Sequence, residues 1–173
     1  MKLKDKNIVM LIGPGYEDLE FWVVYMRMLE EGAKVRVVGM KKGERYTSKS
    51  GGLKAEAEFE PSEIEAEGVD ALLIPGGHAP DKIRRDKGIL ELVGKVHENG
   101  GTIGMICHAG LVGISARIVE GKRATGSLGI KDDLENAGAI WVDEPAFTEG
   151  NIVWGRVVKD IPFYCRELVE AIR

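Results

Sequence analysis

A cysteine followed directly by a histidine, Cys107-His108, closes the apolar run Thr102–Ile106 and is bracketed by Gly104 and Gly110. A short apolar run of this kind reads as a buried strand, and the glycines around its end read as a sharp strand-to-helix turn. A thiol at such a turn faces the positive end of the following helix dipole, where its thiolate is favoured. The backbone N–H groups of that turn can also hold an oxyanion. Cys107 is therefore expected to be a nucleophile. His108 is expected beside it as general base or as the imidazolium partner of a thiolate. The alternative is a buried packing cysteine; the histidine and the two glycines speak against it.

Two other strand ends carry groups that could complete such a site. Residues 7–12 form a near-continuous apolar run that leads into Gly13-Pro14-Gly15-Tyr16-Glu17-Asp18. Asp18 suits the start of a helix, where a carboxylate offsets the dipole. Glu17 is expected to reach the crevice and hydrogen-bond the sulfur, partly protonated because two neighbouring anions repel. Residues 70–74 end in Pro75-Gly76-Gly77-His78, where Gly76 and Gly77 read either as a tight turn or as a backbone N–H pair for a substrate oxyanion. Asp81 follows near a helix start, where capping is the simplest role. Cys165 is expected to pack in the last helix, and His97 to lie on the surface.

Around these groups the elements alternate. The pattern predicts a strand over 7–12, a helix over 18–31 and a strand over Lys34–Val38. The helix is expected to bury Leu19, Trp22, Val23, Met26 and Leu29 as one stripe. Residues 43–60 read as an antiparallel excursion at the sheet edge, and 61–66 as a short helix or turn. A strand over 70–74 follows, then one or two helices over 80–99 broken near Gly88. The strand Thr102–Ile106 leads into a helix of about eight residues. A short helix over 130–136, late strands at 140–142 and 152–153, and a final helix from Asp160-Ile161-Pro162 complete the chain, with Phe163, Leu168, Val169 and Ile172 on the apolar face of that helix. Alternating buried strands and helices imply one doubly wound α/β domain over residues 1–173, with ligands at the carboxyl ends of its strands.

Composition narrows the function. Of 173 residues, 44% are hydrophobic and 30% charged, as in soluble globular proteins, and the net charge of −4 points to neither nucleic acid nor membrane. Two cysteines without a CxxC predict no disulfide framework and fit a reducing, cytoplasmic setting. The three histidines lack paired ligand spacing, and neither GxGxxG nor GxxxxGK[ST] is present, so no metal or nucleotide cofactor is expected.

The motifs also form a recognisable set: Gly15-Tyr16-Glu17-Asp18-Leu19-Glu20, Leu73-Ile74-Pro75-Gly76-Gly77-His78-Ala79-Pro80-Asp81, and Ile106-Cys107-His108-Ala109-Gly110. The segments running from Gly129 to Ala139 and from Trp141 to Pro145 extend it. In this combination, over nearly the whole length, the chain resembles the ThiJ/PfpI family and is most similar to PfpI-type intracellular proteases. The resemblance implies a flavodoxin-like three-layer α/β/α sandwich, a mostly parallel sheet, and Cys107 on a nucleophile elbow. It implies that Glu17 bonds the cysteine and that Gly77 and His108 N–H groups form the oxyanion hole. It also implies that Asp81 reaches His108 of a neighbouring subunit, in a dimer, trimer or hexamer.

Two departures concern the pocket. The family's Cys-His-Gly-Pro is Cys107-His108-Ala109-Gly110 here, and its Thr-Ser-Tyr-Pro-Gly is Thr125-Gly126-Ser127-Leu128-Gly129. His78, Ala109 and Ser127 are thus expected to shape the substrate pocket. Class I glutamine amidotransferases share the elbow but need a late His-x-Glu, and no histidine follows His108. The expected activity is that of a cofactor-independent cysteine hydrolase or lyase acting on peptides or on reactive carbonyls, as in glyoxalases and deglycases. A non-enzymatic redox sensor or chaperone using an oxidisable Cys107 is the alternative.

Overall fold

The computed structural model describes residues 1–173. Each buried strand alternates its side chains between two faces, and each face is covered by helices. In chain order the elements are β1 (Asn7–Leu11), α1 (Asp18–Glu30), β2 (Lys34–Val38), β3 (Arg45–Thr47), β4 (Lys54–Glu56) and β5 (Ala71–Ile74). Then come α2 (Ala79–Ile83), α3 (Lys87–Glu98), β6 (Thr102–Ile106), α4 (Gly110–Ser115), β7 (Arg123–Ala124) and α5 (Lys131–Asn136). The chain ends with β8 (Ile140–Trp141), β9 (Ala146–Glu149), β10 (Ile152–Gly155) and α6 (Ile161–Ile172).

The central sheet runs β2-β1-β5-β6-β10-β9. Its first five strands are parallel and β9 is antiparallel to β10. On one face Val9, Leu11, Leu72, Ile74, Ile103, Met105 and Trp154 pack against α3, α4 and α5. On the other, Ile8, Met10, Leu73 and Val153 pack against α1 and α6. This is a flavodoxin-like three-layer sandwich. The chain turns to opposite sides after β1, so the crevice between β1 and β5 is the switch point at which such folds bind ligands. The excursion after β2 forms its own two-stranded antiparallel ribbon, β3-β4, and β7 pairs with β8 in parallel. No helix is long and apolar enough to cross a membrane.

Several local expectations change. The break in 80–99 falls at Arg84–Arg85–Asp86 rather than at Gly88, because the Asp86 side chain accepts the Ile89 N–H and starts α3 one residue before Gly88. Residues 146–149 form a strand that the sequence pattern did not reveal. Phe163 is half exposed rather than part of the buried face of α6.

The largest change is in α1. Glu20, Phe21, Val24 and Met28 are buried, whereas Leu19, Val23, Met26 and Leu29 are exposed and Trp22 is half-buried. Most positions of this helix are apolar, so counting apolar residues cannot fix its rotation. The aromatic cluster does: Phe21 packs edge-on against Tyr16 and Trp22 and stacks on Tyr25. Glu20 lies on the inward face, which an apolar stripe would exclude.

Candidate active site

The loops after β1, β5 and β6 meet at the carboxyl end of the sheet. The first two are stitched by backbone hydrogen bonds, with Glu17 N donating to Gly76 O at 3.1 Å and His78 N to Gly15 O at 2.8 Å. Gly77 has φ +80°, and a Cβ there would fall 2.5 Å from both Glu17 N and Gly15 O, so only glycine fits. The third loop begins at Cys107, whose φ of +61° is left-handed and unusual for a residue with a side chain. That turn lifts the thiol out of the strand line. The Cys107 carbonyl is held from behind by Ser127 N at 3.1 Å. A 3₁₀ turn over Cys107–Ala109 precedes α4, so the expected helix is split in two.

Cys107 is half-buried and its Sγ lies 3.3 Å from His108 Nδ1. The N–H groups of His108 and Gly77 are directed at the sulfur and pull the thiol pKa down. They are outweighed by burial and by the charge of Glu20, which push the thiol up to about 12. His108 is held below the ordinary histidine range by burial and by the nearby Lys49 and His78, so its imidazole is neutral near pH 7. That shift favours the general base over the imidazolium partner, the two roles the sequence left open for His108.

The carboxyl at the sulfur is Glu20, not Glu17. Glu17 caps α1, its Oε2 accepting the Glu20 N–H at 2.8 Å. Glu20 is only 1% exposed. Its Oε2 accepts the Gly76 N–H at 2.7 Å, and its Oε1 is buried without a conventional partner. A methyl group placed on Gly76 would lie 2.5 Å from Glu20 Oε2 and 2.8 Å from Cys107 Cβ, which shows how closely the two side chains converge. Burial raises the Glu20 pKa to about 7 despite the Gly76 hydrogen bond. A proton on Glu20 removes its charge and makes it a donor toward sulfur, so the thiol and carboxyl titrate as a pair sharing one proton. The spacing of Glu17 and Glu20 carried a usable signal. In a helix opening at residue 18, position 17 is the cap and position 20 lies in the first turn.

The remaining expected residues divide. Gly76 N–H is occupied by Glu20, so the donor pair at the sulfur is Gly77 and His108 rather than Gly76 and Gly77. His78 lines the cavity at the site. Ala109 does not: it is wholly buried in the core beneath α4, and its neighbour Gly110 is there because a Cβ would meet Ile130 at 3.0 Å. Ser127 is not in the cavity wall either; its hydroxyl accepts the Gly129 N–H and caps a short turn. The cavity, of about 560 Å³, is bounded instead by Gly15, Lys49, His78, Asp81, Lys82, His108 and Leu111, among others. Asp81 stands at its rim, held by Arg85 at 2.6 Å and Lys82 at 3.7 Å, and makes no hydrogen bond to His108 of its own chain. Cys165 is buried in α6 and burial raises its thiol to about 11, as befits a packing residue. No cluster of three His, Cys, Asp or Glu side chains is arranged to hold a metal ion.

Comparison with known proteins places these features in company. The model of the DJ-1/PfpI family matches residues 6–171. The chain is 34% identical over 168 residues to the deglycase PfpI of Pyrococcus furiosus, covering 96% of this chain and 99% of that protein. It is 33% identical to the putative cysteine protease YraA of Bacillus subtilis, covering 97% and 99%. Among solved structures, a two-domain protein of Anabaena variabilis with DJ-1/ThiJ/PfpI-like and ferritin-like domains superposes with a TM-score of 0.94 at 33% identity. That match covers 96% of this chain and 48% of the larger one.

Proposed function

The chain belongs to the DJ-1/PfpI family, and on that footing we propose that it is a cysteine-dependent hydrolase or lyase that attacks reactive carbonyls, in the manner of a cofactor-independent glyoxalase or deglycase. The observation that carries this reading is the pairing of Cys107, on a left-handed elbow, with the buried Glu20. A carboxyl of pKa about 7 suits a group that must take a proton and return it near neutral pH.

In this scheme the Cys107 sulfur attacks an aldehyde carbon and Glu20 holds the thiol proton. The carbonyl oxygen develops charge facing the Gly77 and His108 N–H groups and is then protonated, giving a hemithioacetal. With a 2-oxoaldehyde, the proton on the hemithioacetal carbon is removed and one is returned to the adjacent carbon, leaving a thioester of a 2-hydroxy acid. Water cleaves the C–S bond and restores the thiol. Neutral His108, 3.3 Å from the sulfur, is the group placed to carry the carbon-bound proton.

Peptide cleavage would use the same attack but needs, in addition, a groove and an acid for the leaving amine. Turnover of methylglyoxal and of a fluorogenic peptide, by wild type and Cys107→Ser, tests the reading. Methylglyoxal turnover lost in Cys107→Ser supports it, and equal activity in both proteins refutes it.

The borrowed Asp81 is part of the proposal. Its exposed place at the cavity rim leaves it available to His108 of a second copy. A monomer by light scattering, active at the same concentration, would remove that element. A second reading, a redox sensor or chaperone, draws on Cys107 being the one partly exposed thiol. Mass spectrometry after mild peroxide would show Cys107 sulfinate if it holds, and an unmodified Cys107 if it does not.

A further inference from the structure

The β3-β4 ribbon has no part in the chemistry above, yet it is tied to the site by its turn. Gly15 N donates to Thr47 O at 3.0 Å and Lys49 N to Tyr16 O at 2.8 Å, locking the ribbon onto the loop after β1. One residue on, Ser50 Oγ donates to Asp18 Oδ1 at 2.6 Å and Ser50 N to Asp18 Oδ2 at 3.2 Å, fixing the turn to the start of α1. Lys49 lies between these anchors and lines the cavity shared with Gly77 and His108.

The charges around that cavity do not cancel. Lys82 is spent on Asp81, which Arg85 grips as well. The two imidazoles add no negative charge. Lys49 has no carboxylate within ion-pair distance, and it adds to the positive excess left where Lys82 and Arg85 share the one carboxylate of Asp81. The field of Lys49 reaches the reacting groups, adding to the effect of burial on His108 and partly offsetting the effect of burial on Glu20.

We propose that Lys49 is a specificity-determining residue of the Cys107 site, favouring small carbonyl compounds that carry a carboxylate over neutral ones of similar size. The turn fixes the Lys49 backbone at the cavity edge, and its exposed side chain carries an ammonium that attracts an anion and would orient the carboxylate end away from the Gly77 and His108 donors. This rests on the reading of Cys107 as nucleophile.

The test compares two alkylating reagents of similar size, iodoacetate and iodoacetamide. In each, a bond forms between Sγ and the methylene carbon as iodide leaves, and the thiol proton passes to Glu20 or solvent. The ratio of the two rate constants at Cys107, measured by mass spectrometry of the intact protein, cancels changes in thiolate fraction and reports the charge preference alone. Lys49→Gln should lower the iodoacetate-to-iodoacetamide ratio by about threefold or more and Lys49→Glu further, with Lys49→Arg restoring it. Lys34→Gln, at the opposite end of the sheet, controls for net charge. An unchanged ratio in Lys49→Gln, or an equal drop in Lys34→Gln, overturns the assignment while leaving Cys107 a nucleophile. A wild-type Cys107 inert to both reagents overturns the nucleophile reading and this inference with it.

Discussion

Glu20 Oε2 accepts the Gly76 N–H at 2.7 Å, and that bond fixes a fully buried carboxyl against the Cys107 thiol. It joins the first helix to the loop after β5. It also occupies the Gly76 N–H, so the N–H groups left directed at the sulfur are those of Gly77 and His108.

The shared proton should be visible in reactivity. Alkylation of Cys107 by iodoacetamide is expected to rise as pH passes through about 7, where the pair loses its first proton, and then to level off. In Glu20→Gln that step disappears, because no carboxyl beside the sulfur titrates there. Glu17→Gln keeps the step. A step retained in Glu20→Gln would remove Glu20 from the chemistry.

The same carboxyl makes stability depend on pH in a definite direction. Its folded pKa, about 7, lies above its ordinary value of 4.5, so the folded state binds the extra proton between those values. The stabilisation this confers is present below about pH 4.5 and is lost as pH rises through about 7. Glu20→Gln, which cannot ionise, should be more stable than wild type at pH 8 by a few kcal/mol, with the gap closing toward pH 5. Denaturant titrations at the two pH values give the comparison. A constant difference would mean that Glu20 ionises freely in the folded state.

Glu17 acts as a cap. Glu17→Ala should cost about 1 kcal/mol of stability, seen as a lower melting temperature. Its alkylation rate should stay within about twofold of wild type, since the Glu20 carboxyl still supplies the proton acceptor.

Gly126 supports the elbow from behind. A Cβ there would stand 2.5 Å from the Cys107 carbonyl oxygen, an atom that cannot swing aside. Gly126→Ala should destabilise by about 1–3 kcal/mol and slow Cys107 alkylation. A variant as stable and as reactive as wild type would show that the elbow is held by the strand alone.

Much of this was legible in the sequence because it depends on local pattern. The apolar runs before Gly13, Pro75 and Cys107 specify buried parallel strands, and their order brings three strand ends to one crevice. Cys107 followed by His108 at such an end marks the candidate nucleophile, and Gly77 marks a close approach of two loops. What the sequence could not settle was rotation and reach. Helix α1 is apolar over most of its surface, so its phase is set by how Phe21, Val24 and Met28 pack against the sheet and neighbouring aromatics. That rotation buries Glu20, exposes Leu19 and Met26, and leaves Glu17 at the cap. The cavity wall was misjudged for a related reason: Ala109 and Ser127 are near Cys107 along the chain or in motif, but burial and capping claim them. Lys49 comes from a ribbon distant in sequence, brought to the site by long-range backbone hydrogen bonds. Sequence marked Cys107 as the candidate nucleophile; tertiary packing decided that Glu20 rather than Glu17 is the carboxyl beside it and that Lys49 lines the cavity.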